Sequence, residues 1–295
     1  AAVIPPFTIW SVYRHGASVT RNLLAASLLA VFAWGMTELT GNLLQWVALS
    51  IAGYVTVSWL QGLSTRDKAS FRMMFHSKAL VFTTLAFPTI AFVSYGTSFW
   101  TAPFLIRVHG VTAADVGWYV GIGNAIGGLI GVVMGGMLAD RMKLYFVNGR
   151  LMIGIVTILL TAPLILWMVK TEDLMTAYWL NFAYHIPASM WVSIAPATVN
   201  DLVMPRMRAT AGAWFLLMNT IIGLALGPYA MGRLSDMFIA GGADSGAALS
   251  QAIAWGQCIF ILTAILLALA MRYLPDDEAS RLDRARALGE SFDQK

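Results

Sequence analysis

Long stretches without a charged residue constrain what this chain can fold into. Six of them follow one another after residue 78, at 79–106, 116–139, 151–169, 174–200, 209–232 and 245–271. Each is close to or above the roughly 20 residues that a helix needs to cross the hydrocarbon core of a bilayer. Because backbone groups in hydrocarbon must satisfy their hydrogen bonds within the segment, each stretch is predicted to be a transmembrane helix.

Composition points to the same environment. Of the 295 residues, 58% are hydrophobic and 12% are charged, whereas soluble domains carry about 25% charged residues. The sequence therefore predicts an all-α integral membrane protein with membrane lipid as a partner.

Two further apolar segments precede the six stretches. Residues 22–37 and 43–62 are separated by the polar sequence ELTGN. We expect a transmembrane hairpin, and a re-entrant or interfacial hairpin is the alternative.

The positions of lysine and arginine predict the orientation, because cytoplasmic loops carry an excess of both. If the loop after Arg141 is cytoplasmic, all but three of the 19 Lys and Arg residues lie on that side. The exceptions are Arg107, Lys170 and Arg233. The C-terminus is then cytoplasmic, and the net charge of +4 reflects topology without indicating a nucleic-acid partner.

This topology divides the chain into five parts. They are an N-terminal segment at 1–21, the transmembrane hairpin at 22–62, a cytoplasmic linker at 63–77, a six-span unit at 78–274 and a cytoplasmic tail at 275–295.

Glycine recurs every four residues in the second of the six stretches, at Gly123, Gly127, Gly131 and Gly135. This period places the glycines on one helix face, where a neighbouring helix can approach closely. The stretch ends in GGMLADRMK, in which Asp140 and Arg141 reach the water boundary. We expect Asp140 to accept hydrogen bonds from the N-terminus of a neighbouring helix. A simple charged cap is the alternative.

The fourth stretch contains a polar stripe. Asn181, His185, Ser189 and Ser193 recur every four residues and share a helix face. Such a face is costly against lipid, so it is predicted to meet protein or water. His185 is a candidate proton carrier or anion contact. Hydrogen bonding between helices is the alternative for the whole stripe.

No enzyme signature is present in the sequence. It has no His-Glu-x-x-His metal motif, no phosphate-binding Gly-x-x-x-x-Gly-Lys loop and a single cysteine. We therefore predict no catalytic residues, no cofactor and no metal site.

The sequence GGMLADRMK resembles the loop signature of the major facilitator superfamily, a Gly-x-Leu-Ala-Asp-Arg pattern followed by basic residues. Gly136, Leu138, Ala139, Asp140 and Arg141 match the pattern. It then departs, because Leu144 and Tyr145 stand where basic residues are expected.

Three further stretches are similar to the Spinster-like branch of this superfamily. They are SYGTSFWTAPFLIRVHGVTAADVGWYVG (Ser94–Gly121), PATVNDLVMPRMRATAGAWFLLMNTIIGLALGP (Pro196–Pro228) and MGRLSD (Met231–Asp236). The resemblance covers about residues 71–274. It implies that the six spans form the C-terminal half of a transporter bundle built from two related six-helix halves.

The partner implied by the resemblance is an N-terminal six-helix half, either in the same longer chain or in a separate one. The hairpin at 22–62 is then either a diverged fifth and sixth span or an inserted hairpin.

In this superfamily the first and fourth helices of each half face the central cavity. The resemblance therefore implies a substrate cavity lined by Asn181, His185, Ser189 and Ser193 from the fourth helix and by Tyr95, Ser98 and Trp100 from the first. Plain helix packing is the alternative for the residues of the first helix.

The resemblance also implies a conformational latch in the cytoplasmic loops. Its residues are Asp140, Arg141, Asp201, Arg206 and Arg208. Loops that serve only as positively charged topology signals are the alternative.

The function implied is secondary active transport by alternating access, driven by protons, with a lysolipid-like or other amphiphile as substrate. The alternatives are a small organic anion transporter and a membrane sensor or assembly protein that kept the fold. The expected location is a bacterial inner membrane.

Overall fold

The structure, a computed structural model, describes residues 18–289, which form helices and turns with no strand among them. By length and apolar character, seven helices in this range can cross a membrane: Val19–Thr40, Leu43–Arg66, Lys78–His109, Ala113–Lys143, Gly149–Met168, Pro205–Ala240 and Ser245–Ala279. An eighth segment, 174–201, consists of two shorter helices in succession. The all-helical membrane fold predicted from the uncharged stretches is confirmed. Most of the predicted N-terminal segment at 1–21 and the end of the predicted tail lie outside the described residues.

In chain order the helices are α1 (Val19–Thr40), α2 (Leu43–Arg66), α3 (Lys68–Phe75), α4 (Lys78–His109), α5 (Ala113–Lys143), α6 (Gly149–Met168), α7 (Leu174–Ser189), α8 (Trp191–Asp201), α9 (Arg208–Met218), α10 (Leu226–Ala240), α11 (Ser245–Gly256), α12 (Ile259–Ala279) and α13 (Arg281–Ala287). A 3-10 turn at Pro205–Met207 precedes α9, and a π-helix at Asn219–Ala225 joins α9 to α10.

The described residues divide into two compact units, one formed by 18–76 with 284–289 and the other by 77–283. In the first unit, α1 and α2 form a hairpin. α1 ends at Gly41, whose left-handed backbone (φ 73°) suits glycine and whose N–H bonds the Thr37 carbonyl at 2.7 Å. The Ser50 hydroxyl then donates to the Leu29 carbonyl at 3.0 Å, which joins the two helices midway along their length.

In the second unit, α4 occupies the centre. It packs against α12, α10, α11 and the π-helix, while α5 packs along α7. Of the most apolar stretch of α4, 67% is buried, against 22% for α5. The first helix of the six-span unit is therefore held by protein on most sides.

The fourth span is interrupted at Met190, between α7 and α8. Pro187 has no N–H to continue the helical bonding, and the Met190 N–H bonds the Pro187 carbonyl at 3.1 Å in a tighter turn.

Two boundaries predicted from the sequence, at residues 63 and 274, lie inside helices of the structure. α12 continues through Pro275 and ends at Ala279, five residues beyond the predicted end of the unit at 274. The predicted linker at 63–77 contains the end of α2 and the short helix α3.

Candidate functional site

A pocket of about 120 Å³ lies between α4 and the α7–α8 pair. It is lined by Ser94, Tyr95 and Ser98 from α4 and by Tyr184, His185, Ala188, Ser189, Trp191 and Val192 from α7 and α8. These are the first and fourth spans of the second unit, the two from which the predicted cavity residues come.

The start of α7 is fixed by Asp173. Its carboxylate accepts the Thr176 hydroxyl at 2.6 Å and the Thr176 N–H at 2.8 Å. These bonds favour the ionised form and hold the pKa of Asp173 below its ordinary value. The capped first turn fixes where α7 begins.

The predicted polar stripe divides. His185 and Ser189 line the pocket, whereas Asn181 is fully buried and donates from Nδ2 to Asn124 Oδ1 at 2.9 Å. The Ser193 hydroxyl donates to the Val132 carbonyl at 3.0 Å. Asn181 and Ser193 therefore bond to α5, as the alternative of interhelical hydrogen bonding predicted.

His185 is buried, with 8% of its surface exposed. Its Nδ1 lies 2.9 Å from the Asn181 carbonyl oxygen, one turn earlier in α7. Its ring lies 4.3 Å from the Tyr184 ring, measured between centroids. The imidazole is thus held in one orientation, with the opposite edge of the ring left for the pocket.

On the α4 side, Tyr95 and Ser98 line the pocket as predicted for the cavity, and Trp100 does not. The Trp100 indole N–H donates to the Pro228 carbonyl at 2.7 Å. A methyl group added at Gly232 would lie 2.7 Å from the Trp100 ring. Trp100 therefore packs α4 against α10 and lies outside this pocket.

The predicted glycine face of α5 meets α7 and the residue that follows it. A methyl group added at Gly131 would lie 2.1 Å from the Ile186 carbonyl oxygen, and one at Gly127 would lie 2.9 Å from the Phe182 carbonyl oxygen. At Gly135 it would lie 2.7 Å from Met190, and at Gly123 3.4 Å from Asn181. Close approach of the two backbones at this face holds α7 beside α5.

A cluster of charges lies where α5, α6 and α8 end or begin. Arg150, in the first turn of α6, donates from Nη2 to Asp140 at 2.7 Å and pairs through Nη1 with Asp201. Lys143 pairs with Asp201 and, at 3.0 Å, with Glu278 of α12. Asp140 thus bonds a side chain, whereas the sequence predicted a bond to a helix N-terminus.

The three arginines of the predicted latch lie at the surface of the described structure. Arg141, Arg206 and Arg208 are exposed. Among the described residues, the cations that bind Asp140 and Asp201 are Arg150 and Lys143, neither of which belongs to the predicted latch.

Two curated proteins resemble the chain in sequence. An "MFS-type efflux pump" of Mycolicibacterium smegmatis is 31% identical over 150 residues, which are 50% of this chain and 34% of that protein. Human "Protein spinster homolog 3" is 28% identical over 214 residues, which are 64% of this chain and 42% of that protein. No protein-family model matches the chain.

Solved structures give the fold. A bacterial homologue of the human lysosomal transporter Spinster, in an inward-facing and unoccupied conformation, aligns over 89% of this chain and 66% of its own, with a TM-score of 0.55 and 22% identity. Its inward-facing and occupied conformation aligns with a TM-score of 0.54 over 81% of this chain and 58% of its own.

The chain is thus similar in sequence to an efflux pump and to a Spinster protein, and similar in fold to a bacterial Spinster homologue. It spans about two fifths or less of the length of the two curated relatives described above. The first of these is a pump by its name, in agreement with the prediction that the chain is not an enzyme.

Several pocket and cluster residues were not predicted from the sequence. They are Ser94, Tyr184, Ala188, Trp191 and Val192 in the pocket and Arg150, Glu278 and Arg281 at the helix ends. Helix periodicity was the available signal on the fourth span, because Val192 follows His185 by seven residues and Trp191 follows Tyr184 by seven, so the members of each pair share a helix face.

Proposed function

We propose that the chain supplies one half of a secondary active transporter that works by alternating access. The pocket between α4 and the α7–α8 pair is the observation that carries this proposal. It lies between the two spans that face the central cavity in this superfamily. A related bacterial protein is known in unoccupied and occupied inward-facing conformations, which indicates that the fold takes a ligand in that state.

The partner in this proposal is an N-terminal six-helix half, in the same chain or in another. The pocket forms one wall of a cavity that the partner half completes. Rocking of one half against the other around a site near the midplane then exposes that site to each side in turn. The membrane is a bacterial inner membrane, with the C-terminus on the cytoplasmic side.

The substrate in this proposal is a lysolipid-like or other amphiphile, moved at the expense of a proton gradient. The pocket supports an amphiphile because hydroxyls and an imidazole line it together with apolar groups. Polar atoms come from Ser98, His185 and Ser189, and apolar surface comes from Ala188 and Val192. The name of the mycolicibacterial relative, an efflux pump, favours export.

In this proposal the latch is the cluster of ion pairs formed by Asp140, Lys143, Arg150, Asp201 and Glu278. Asp140 and Asp201 are both held by Arg150 at the cytoplasmic end of the unit, while the exposed Arg141 and Arg208 can contact the partner half or lipid phosphates. The ion pairs among α5, α6, α8 and α12 keep these helix ends together while the half moves.

Transport is tested with the full-length protein in liposomes. We expect an imposed proton gradient to drive movement of a fluorescent lysolipid, and we expect His185→Ala to reduce the rate without lowering the melting temperature. Competition by a small organic anion, with none by lysolipid, would replace the amphiphile by the anion. Binding without any transmembrane movement would favour a sensor or assembly protein.

A further inference from the structure

The hydrogen bond at His185 defines what the pocket offers to a ligand. A backbone carbonyl oxygen can only accept, so Nδ1, which lies 2.9 Å from the Asn181 oxygen, carries the ring hydrogen. In a neutral imidazole the other nitrogen is then an acceptor without a hydrogen. No polar atom of the described residues bonds His185 Nε2. The ring therefore presents a lone pair to the pocket.

The other polar groups of the pocket are hydroxyls and the Trp191 indole N–H. The Ser94 hydroxyl donates to the Ala188 carbonyl at 3.2 Å, and Ser98 Oγ lies 3.5 Å from Asn124 Nδ2. Tyr95 and Ser189 each bring a hydroxyl that can rotate to donate or accept. Among the described residues lining the pocket, the atoms that can only accept are thus His185 Nε2 and the Ser94 oxygen, whose hydrogen is engaged with Ala188.

The pocket also lacks a fixed charge. None of its described lining residues is Lys, Arg, Asp or Glu. An anionic oxygen placed opposite His185 Nε2 would meet a lone pair, with no cation in the pocket wall to compensate. The faces of Tyr95, Tyr184 and Trp191, by contrast, attract a positively charged group.

We infer that the pocket binds a head group that donates hydrogen bonds, a hydroxyl or a protonated amine, with His185 Nε2 as its acceptor. Carboxylate and phosphate head groups are disfavoured there. The volume of about 120 Å³ corresponds to roughly four water molecules, so the pocket holds the head group while the hydrocarbon chain lies outside it. This inference rests on the proposed function, because it takes the pocket as the substrate site.

The test compares four amphiphiles with one hydrocarbon chain: dodecylamine, dodecanol, dodecanoate and dodecyl phosphate. Each is titrated against maleimide labelling of Ser189→Cys in full-length protein that carries Cys258→Ser and is held in lipid nanodiscs. We expect the amine or the alcohol to protect the thiol at about tenfold lower concentration than the carboxylate, the ratio expected for one hydrogen bond. Amine and alcohol are ranked by the same titration, which identifies the donor.

Three variants at one position make the result specific. His185→Phe keeps a ring and removes the acceptor, and it should bring the ratio close to one. His185→Gln offers both a donor and an acceptor and should give an intermediate ratio, whereas His185→Lys should reverse the preference in favour of the anions. His76→Phe, at an exposed histidine outside the pocket, is the control and should keep the wild-type ratio.

Protection by dodecanoate or dodecyl phosphate at the lowest concentration would overturn the inference, and so would a ratio unchanged in His185→Phe. Lysolipid transport in the same protein is measured separately. Transport with a preference for anions defeats this inference alone. Selective protection without transport defeats the proposed function and leaves donor binding at His185 standing.

Discussion

Ser77 and Asp277 are 200 residues apart in sequence, and the Ser77 hydroxyl donates a 2.8 Å hydrogen bond to the Asp277 carboxylate. The same carboxylate oxygen accepts the Ala79 N–H at 2.8 Å. A backbone amide in the first turn of α4 has no partner within its own helix, and a negative charge is favourable at that end. Asp277 of α12 therefore caps α4 from the far end of the unit.

We expect Asp277→Ala to lower the free energy of unfolding by about 1–3 kcal/mol, because it leaves the buried Ser77 hydroxyl and the Ala79 N–H without this acceptor. Ser77→Ala should also destabilise the protein, because it removes the bond to Asp277 and the bond that the hydroxyl accepts from the Leu80 N–H at 3.2 Å. Asp276→Ala, at the exposed neighbouring carboxylate, is the matched control. Equal melting temperatures for Asp277→Ala and Asp276→Ala in detergent would contradict the capping role.

The glycine face of α5 should tolerate alanine unevenly. Gly131→Ala brings a methyl group against a backbone carbonyl that cannot move aside, and we expect a loss of about 1–3 kcal/mol. Gly128→Ala is the control, because a methyl group there meets only Ser189 Oγ, at 3.6 Å. The comparison is a pair of thermal unfolding curves. Equal stability of the two variants would show that α5 and α7 are further apart than described.

Arg150 should be coupled more strongly to Asp201 than to Asp140. The side chain of Asp201 is 29% exposed and that of Asp140 is 68% exposed, so solvent screens the Asp140 pair more. Double-mutant cycles of Arg150→Ala with Asp140→Asn and with Asp201→Asn measure both couplings. We expect less than about 1 kcal/mol for Asp140, and a larger coupling to Asp140 would reverse the assignment.

Thiol accessibility tests the walls of the pocket. The native Cys258 is exposed, so the experiment uses a Cys258→Ser background. In that background, cysteines at positions 189 and 192 should react with a small soluble maleimide. A cysteine at Ser193 should react slowly, because that side chain faces the Val132 carbonyl. Fast labelling at 193 with none at 192 would place the pocket on another face of α8.

The orientation of the unit is tested from outside the cell. A cysteine in place of Lys170, which is exposed, should react with an impermeant reagent in intact cells. A cysteine in place of Arg141, also exposed, should react only after the cells are opened. The opposite pattern would place the C-terminus outside.

The sequence predicted those features that depend on neighbours along one helix. The spans follow from uncharged stretches, and the face of α5 that meets α7 follows from a four-residue glycine period. Both signals need only the geometry of a single α-helix. The resemblance to known transporters, in addition, predicted that the first and fourth of these spans, α4 and α7, line the cavity.

Features that depend on distant parts of the chain were missed. Arg150 and Asp201 are 51 residues apart, and no local pattern joins them. The resemblance assigned Trp100 to the cavity, but its indole N–H donates to the Pro228 carbonyl of α10, which is 128 residues away in sequence.

The contact between Ser77 and Asp277 also fixes the parity of membrane crossings in the second unit. Two side chains 2.8 Å apart lie on the same side of the bilayer, so an even number of spans separates them. A count of the strongly apolar helices between these residues gives five, an odd number that would put the two ends on opposite sides. The sixth crossing is the α7–α8 pair, whose polar residues, Asn181, His185, Ser189 and Ser193 among them, make it less apolar than the other five. A topology drawn from apolar character alone therefore leaves out the helix that carries the pocket, and omitting it inverts the side of every loop that follows.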